Sequence, residues 1–346
     1  MRETWTVMAR WLVKGMPMCL TLLLCAGAAT QQTEAKILPE AAREDVFVRG
    51  ATRFPNDVRA YHGIEFENLV GYRPVEMDLY LPAESATRKP VVIRVHGGGW
   101  SRGDARVSGA FADWPGVLAG VAARGFVVAS VDYRLSAEAR FPAQLQDVKA
   151  AIRFLRLHAA KYGIDPTRVF VWGGSAGGQL AALAATTCGM NEFEPAVSNG
   201  RMSHAEVQRT TAGQDSVSDC VDGAAIWYGI FDVASYNGTN TEAYLGCKGA
   251  ACDSAARPAS ALRYVQAGQP PMLILQGDAD TTIDPTQAPR MSAALKAVGD
   301  PVELVMLPGV GHGWIGKTPE QTKAASLEAL RRTLAFFDQL AAKQAR

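Results

Sequence analysis

The sequence predicts an α/β protein with a mostly parallel sheet and helices on both faces. Three observations carry this. Six short apolar runs rich in β-branched and aromatic residues alternate with longer helical stretches, which is the order of a parallel sheet with crossover helices. Two further runs precede them at hairpin spacing. No repeat and no linker splits the chain between them. Residues 64–66 and 75–81 read as the antiparallel hairpin. The apolar runs are 91–95, 126–131, 169–172, 224–228, 272–275 and 302–306, and together with the hairpin they make eight strands. Helices are expected near 107–124, 142–161, 176–187 and 287–298. A last one is expected near 318–342, where Leu327, Leu330, Leu334, Phe337 and Leu340 recur at helical spacing. Residues 188–220 and 234–258 break the pattern and read as insertions above the sheet.

Composition narrows the function classes. The chain has 346 residues, 48% hydrophobic and 20% charged, ordinary values for a globular protein with a large core. Lys and Arg number 35 against 34 Asp and Glu, so no basic excess is left for nucleic acid. Arg2, Arg10 and Lys14 precede an apolar stretch from Gly15 to Cys25, followed by Ala26-Gly27-Ala28-Ala29. That is the layout of a secretory signal peptide over residues 1–29, cleaved after Ala28 or Ala29. The stretch is shorter than the ~20 residues a membrane-spanning helix needs, so no stable membrane insertion is expected once the leader is gone. A lipoprotein modified at Cys25 is disfavoured by Leu24, which stands where a small residue belongs. Residues 30–346 then form one exported domain, secreted or periplasmic. It retains Cys188, Cys220, Cys247 and Cys252, an even number suited to an oxidising compartment. Short separations favour Cys188 with Cys220 and Cys247 with Cys252. A zinc site is the alternative, but no C-x-x-C spacing or adjacent histidine supports it.

Two glycine-rich segments carry chemistry. Gly173-Gly174-Ser175-Ala176-Gly177 matches G-x-S-x-G between a strand and an Ala-rich helical run. In that context Ser175 stands exposed at a sharp strand-to-helix corner as a nucleophile. His96-Gly97-Gly98-Gly99-Trp100 ends the strand at 91–95, and bare glycines there leave backbone N–H groups open to a carbonyl oxygen. The expected oxyanion donors are the amides of Gly98, Gly99 and Ala176. A phosphate loop fails on spacing, since neither G-x-G-x-x-G nor a Walker lysine follows. His96 is expected to brace the loop.

A serine needs a histidine to take its proton. Of His62, His96, His158, His204 and His312, the last lies in a glycine-rich loop after the final strand, where the order Ser…Asp…His places the base. The acid should follow the strand at 272–275, and Asp278, Asp280 and Asp284 compete for it. A calcium loop is the other reading of these aspartates, but the sixth-position glycine and twelfth-position glutamate are missing.

With these segments the chain resembles the α/β-hydrolase superfamily over roughly residues 58–342. It is most similar to the bacterial feruloyl-esterase and tannase-like BD-FAE group, kin to the hormone-sensitive-lipase type. The resemblance also rests on Asp132-Tyr133-Arg134-Leu135, Phe141-Pro142-Ala143 with Asp147, Tyr244-Leu245-Gly246-Cys247, Pro270-Pro271-Met272-Leu273-Ile274 and Gly311-His312-Gly313. It implies an α/β-hydrolase fold, with the insertions forming disulfide-held cap loops. It implies Asp280 as the acid, no metal or organic cofactor, and hydrolysis of carboxylic esters. The expected substrates are small-molecule or oligosaccharide esters, aryl or feruloyl esters first and acetylated carbohydrates or short-chain esters after them. Gln276 and Ile283 depart from the family's frequent His and Val, and Gly174 from the Asp common in lipase-type relatives. Asp104, Asp132, Arg134 and Asp147 read as structural. Trp100 reads equally as a wall of the acyl pocket and as packing under the loop, and Met190, Phe193 and Tyr236 are placed where they could stack on an aromatic acyl group. An amidase, a peptidase and a non-catalytic binding protein on the same fold are the rival classes.

Overall fold

A computed structural model describes residues 50–69, 71–109, 111–194, 217–236 and 238–343. These belong to one compact unit, Arg49–Arg346. The leader expected over 1–29, and His204, lie outside the described residues.

A single sheet organises the unit. Its strands are β1 (Thr52–Phe54), β2 (Val58–Glu67), β3 (Val75–Leu81), β4 (Lys89–Val95), β5 (Val127–Val131), β6 (Ile164–Gly174), β7 (Gly223–Trp227), β8 (Met272–Gly277) and β9 (Val302–Leu307), in the spatial order 1-2-3-5-4-6-7-8-9. The first three pairings in that order, β1–β2, β2–β3 and β3–β5, are antiparallel, and the remaining five are parallel. Among the described residues the sheet thus has nine strands, where the sequence predicts eight. The extra strand, β1, is a three-residue edge closed onto β2 through Asn56 and Asp57, both in the left-handed region at φ 61° and 57°. Asn and Asp tolerate that conformation, which suits a tight hairpin.

Alternation along the strands builds two cores. Ile93, Val171, Ile226 and Ile274 point to one face. The intervening Val92, Trp172, Trp227 and Leu275 point to the other. The first face is covered by α2 (Ala143–Leu157), the short α3 (Ala159–Tyr162), α4 (Ala176–Thr186) and α7 (Gln287–Ala297). The second is covered by α1 (Trp114–Ala123) and α8 (Pro319–Lys343), through Trp114, Leu118, Phe336 and Phe337. Parallel strands sandwiched this way are apolar on both faces, which is why they read as unbroken apolar runs. Helix α1 starts at Trp114 rather than near 107. Asp113 accepts the Gly116 N–H at 2.9 Å and Pro115 follows, so the helix is capped there.

Both insertions are tied down as expected, by Cys188–Cys220 and Cys247–Cys252. The first has a second anchor, because the buried Lys149 ammonium donates to Thr187 O at 2.6 Å and pairs with Asp219. Asp219 in turn accepts the Gly189 N–H at 2.9 Å. The second contains α5 (Thr241–Leu245) and α6 (Ala251–Ala256). No helix among the described residues is long and apolar enough to cross a membrane.

The chain reverses its winding at β4, with β5 on one side and β6 on the other. A crevice outside the carboxyl ends of the strands is expected there. His96, Ser175, Tyr228, Asp280 and His312 all follow the carboxyl ends of strands on that edge.

Candidate active site

Ser175 sits one residue past β6 with φ 57° and ψ −125°, a conformation that costs a non-glycine residue about 1–3 kcal/mol. The surroundings hold it there. Its N–H donates to Trp227 O at 3.0 Å, and its carbonyl accepts the Gln179 N–H at 3.0 Å as α4 begins. A Cβ on Gly177 would lie 2.3 Å from both Val95 O and His96 O, so only glycine lets the turn pack on the end of β4. A Cβ on Gly97 would lie 2.9 Å from Gly174 O and 3.3 Å from the Ser175 Cβ. The His-Gly-Gly-Gly loop therefore lies directly against the serine.

His312 and Asp280 complete a chain of hydrogen bonds. His312 Nε2 is 2.9 Å from Ser175 Oγ, and Nδ1 is 2.9 Å from Asp280 Oδ2. An ionised carboxylate can only accept, so the ring proton is on Nδ1 and Nε2 is left to accept from the serine. Asp280 also accepts from Gln276 Nε2 at 3.0 Å, from Thr282 N at 2.8 Å and from Ile283 N at 2.9 Å. Burial pushes this carboxyl up, but His312 and the two amides outweigh it and hold it below the usual aspartate range. The other two aspartates turn elsewhere: Asp278 accepts from Gly309 N at 2.6 Å, and Asp284 from Thr286 N at 2.9 Å. Among the described residues one group of three potential metal ligands comes together, Cys188, Asp219 and Cys220. Its sulfurs are joined in the disulfide and its carboxylate is held by Lys149.

The oxyanion loop is braced from below. His96 is buried, and burial pushes its imidazole down to about 4, so the ring is neutral. Its Nδ1–H donates to Gly97 O at 2.7 Å. The ring stacks on Tyr133 at 4.1 Å, and the Tyr133 hydroxyl donates to His96 O at 3.1 Å. Gly98 and Gly99 then run with φ 116° and 59°. Helix α4 opens at Ala176, whose N–H has no partner inside the helix. Asp104, Asp132, Arg134 and Asp147 all make structural contacts. Asp104 and Asp132 accept from Arg106 N and Ala105 N, and Arg134 and Asp147 form a buried pair.

Two expectations fail. Trp100 does not line a pocket: it is fully buried. Its ring stacks on Tyr244 at 4.1 Å and 5°, and its Nε1 donates to Gln179 Oε1 at 3.0 Å. The Tyr244 hydroxyl donates to the same Gln179 oxygen at 3.2 Å, which leaves the indole under the loop with nothing to offer a ligand. Phe193 is also buried, edge-on to Phe141 and Tyr264, and Met190 packs on the same core. Tyr236 remains half-buried, edge-on to Trp100 at 6.1 Å.

Sequence reasoning missed four contributors. Gln276 and Gln179 are ordinary polar residues until the fold aims them. Asn240 donates from Nδ2 to Ser101 Oγ at 3.0 Å, beside the oxyanion loop. Tyr228, just after β7, has φ 38° and is buried. Its ring packs on His312 at 4.7 Å and on Trp314 at 4.6 Å. Its left-handed backbone has no signature in single-residue propensity.

The BD-FAE family model matches residues 77–295, more than half of the chain. The chain belongs to the BD-FAE family. Two esterases of Mycobacterium tuberculosis are similar to this BD-FAE member. Esterase LipC is 30% identical over 71% of the chain, and esterase LipQ is 28% identical over 66%. The chain spans 59% and 51% of their respective lengths. Among solved structures, a truncated carbohydrate esterase from gut microbiota superposes with a TM-score of 0.65 at 26% identity, over 82% of this chain and 96% of that one. A thermophilic esterase of the planctomycete Thermogutta terrifontis shares the fold, with a TM-score of 0.63 at 24% identity over 83% and 93%. The likeness to these structures establishes the α/β-hydrolase fold.

Proposed function

We propose that the protein is a serine carboxylic-ester hydrolase that works through a covalent acyl-enzyme. The observation that carries this is the pair of 2.9 Å contacts joining Ser175, His312 and Asp280 beside the glycine loop. Ser175 Oγ attacks the ester carbonyl as its proton passes to His312 Nε2. The Gly98, Gly99 and Ala176 amides receive the oxyanion, each worth about 3 kcal/mol in the transition state. Asp280, with no cation among its partners, stabilises the imidazolium. His312 then protonates the departing alcohol, and the acyl group remains on Ser175. Water enters, gives a proton to His312 and attacks the acyl carbonyl. The tetrahedral species collapses to the carboxylic acid, and Ser175 recovers its proton.

The substrates we assign are aryl or feruloyl esters and carbohydrate-linked esters. The family supports the first and the carbohydrate-esterase neighbour the second. Export through residues 1–29 is part of the same reading, supported by the leader's layout and by the two disulfides.

The test is initial rates of the mature protein on methyl ferulate and p-nitrophenyl acetate, with Ser175→Ala as control. Serine-dependent turnover of both is expected. Turnover of the acetate alone would move the substrate to small acyl groups. Full activity in Ser175→Ala would overturn the mechanism.

A further inference from the structure

His312 stands in a loop that does not keep its shape unaided. Gly313 and Trp314, the two residues after it, both lie in the left-handed region, at φ 68° and 67°. For a tryptophan that conformation is costly, so the surroundings must impose it. Within the loop, Gly311 N–H donates to Ile315 O at 2.7 Å and draws its two sides together. On the β8 side, Asp278 accepts the Gly309 N–H at 2.6 Å, and Ala279 N–H donates to Val310 O at 3.1 Å. On the other side the loop meets the first turn of α8, and there one side chain spans both of its ends. Gln321 Nε2 donates to Gly309 O at 3.1 Å, and Gln321 Oε1 accepts the Lys317 N–H at 2.8 Å. Thr322 Oγ1 accepts the Gly316 N–H beside it at 2.9 Å.

The amide has one orientation that works. Turned over, its oxygen would face the Gly309 carbonyl and its NH₂ the Lys317 N–H. The approach is close as well. A Cβ on Gly309 would lie 2.9 Å from Gln321 Nε2, and one on Gly316 would lie 2.7 Å from Gln321 Cγ. Glycine at 309 and 316 therefore makes room for this side chain. Its direction is not the one its place in the helix dictates. Thr318-Pro319-Glu320-Gln321 has the residue types of a capping box, in which the fourth side chain returns to the N–H of the capping threonine. Half of the box is made, since Gln321 N–H donates to Thr318 Oγ1 at 3.2 Å. The Gln321 side chain goes instead to Gly309 and Lys317, on either side of His312.

We propose that Gln321 is a positioning residue for the reaction: its amide clasps the two ends of the 309–317 loop and so fixes His312 between Ser175 and Asp280. The proposal rests on the serine-esterase reading for the step that His312 performs, and on the clasp alone for its placement. Gln321→Met keeps the length of the side chain and removes both contacts. Gln321→Glu keeps the acceptor for Lys317 N–H and loses the donor to Gly309 O. Thr318→Ala removes the helix cap and leaves the amide in place, so it reports what a purely structural role would do. All three positions are at least partly exposed, so the variants are expected to fold and are assayed well below their melting temperatures. Small misplacements of a catalytic group are costly in rate. Gln321→Met is expected to lower kcat about tenfold with KM within twofold, and Gln321→Glu to lower it by less. Thr318→Ala is expected to lower the melting temperature and leave kcat within twofold. A second readout needs no turnover: the downfield proton resonance of the His312 Nδ1–H bonded to Asp280. It is expected to shift or broaden in Gln321→Met and to stay in place in Thr318→Ala. An unchanged kcat or an unchanged resonance in Gln321→Met would overturn the clasp. So would an equal loss of kcat in Thr318→Ala, which would assign the effect to the helix end. Absence of serine-dependent turnover in the wild type would overturn the esterase reading instead, and the resonance would still decide the clasp.

Discussion

Among the described residues there are two histidine–aspartate pairs of nearly the same geometry. His312 Nδ1 is 2.9 Å from Asp280, and His62 Nδ1 is 2.9 Å from Asp78. Each ring also meets a hydroxyl on Nε2, Ser175 at 2.9 Å and Thr52 at 3.1 Å. Burial does not separate them, since both aspartates are buried and both histidines partly exposed. Charge and backbone do. Asp78 is neutralised by Arg106, whose Nε and Nη2 lie 2.6 and 3.1 Å from it, and it also accepts from Gly63 N. Asp280 has uncharged donors apart from His312. Thr52 is in an edge strand with its backbone paired to Ala60, whereas Ser175 is held at a strained corner ahead of a helix. Hydroxyl, imidazole and carboxylate within hydrogen-bond reach are therefore not sufficient for a nucleophile. The carboxylate must keep its charge for the imidazolium, and the hydroxyl must stand beside unpaired amides.

The comparison is broken most directly by removing each ring. His312→Ala is expected to lower kcat about 10,000-fold, and His62→Ala less than twofold, in the same ester assay. A large loss in His62→Ala with an unchanged melting curve would mean the second pair takes part in the reaction. Next come the carboxylates. Asp280→Asn is expected to lower kcat by about a thousandfold or more at similar KM, because the tautomer and the imidazolium both lose their partner. Asp78→Asn is expected to act on stability, by about 2 kcal/mol, because it leaves Arg106 without its partner. Thermal unfolding and kcat, measured on both variants, distinguish the two roles.

How much of this was readable beforehand follows the same division. The parallel strands were legible because burial on both faces leaves unbroken apolar runs, and Ser175 because its turn requires glycine on both sides. The placing of Asp280 over Asp278 rested on family resemblance, since three aspartates in seven residues have no local difference. Its geometric reason, the aim of its carboxyl at His312, exists only once β8 and β9 are side by side. Strand β1 was missed although Pro55-Asn56-Asp57 is a turn signal, because a three-residue edge strand has too few positions to show alternation. Trp100 was misplaced because its partners, Tyr244 and Gln179, are remote in sequence and meet it only when the second insertion folds back. Tyr228 was invisible for a similar reason. It stands at the site because Trp227 pairs with Gly174 across β6 and β7.

Tyr228 sharpens the comparison at an intermediate scale: its ring backs His312 at 4.7 Å, whereas the Tyr80 ring meets His62 edge-on at 6.2 Å. Burial pushes the Tyr228 phenol up to about 12, so it stays protonated through the working range. Tyr228→Phe keeps the ring and is expected to cost less than threefold in kcat. Tyr228→Ala opens a cavity against His312 and Trp314, and a loss of about tenfold in kcat with a lower melting temperature is expected. Equal losses in the two variants would assign the effect to the hydroxyl rather than to packing.

A third carboxylate extends the contrast to stability. Glu67, at the end of β2, is pushed up to about 7, chiefly by burial and then by the charge of Asp147, with Arg134 opposing. Asp280 is held in the opposite direction by His312 and the backbone amides. The signs follow from proton binding. Between 4.5 and about 7 the folded chain keeps a proton on Glu67 that the unfolded chain has released, so stability falls as pH rises through that window. Asp280 contributes stability above the unfolded carboxyl value, and that stability is lost as pH falls. Partial exposure lets solvent screen part of the Glu67 effect, so on the order of 1 kcal/mol is expected. Glu67→Gln stays neutral and should lack the slope. Its melting temperature should match the wild type near about pH 5 and exceed it near about pH 7.5. Parallel melting curves for the two proteins across that range would show that Glu67 is ionised in the fold and that Arg134, rather than burial, governs it.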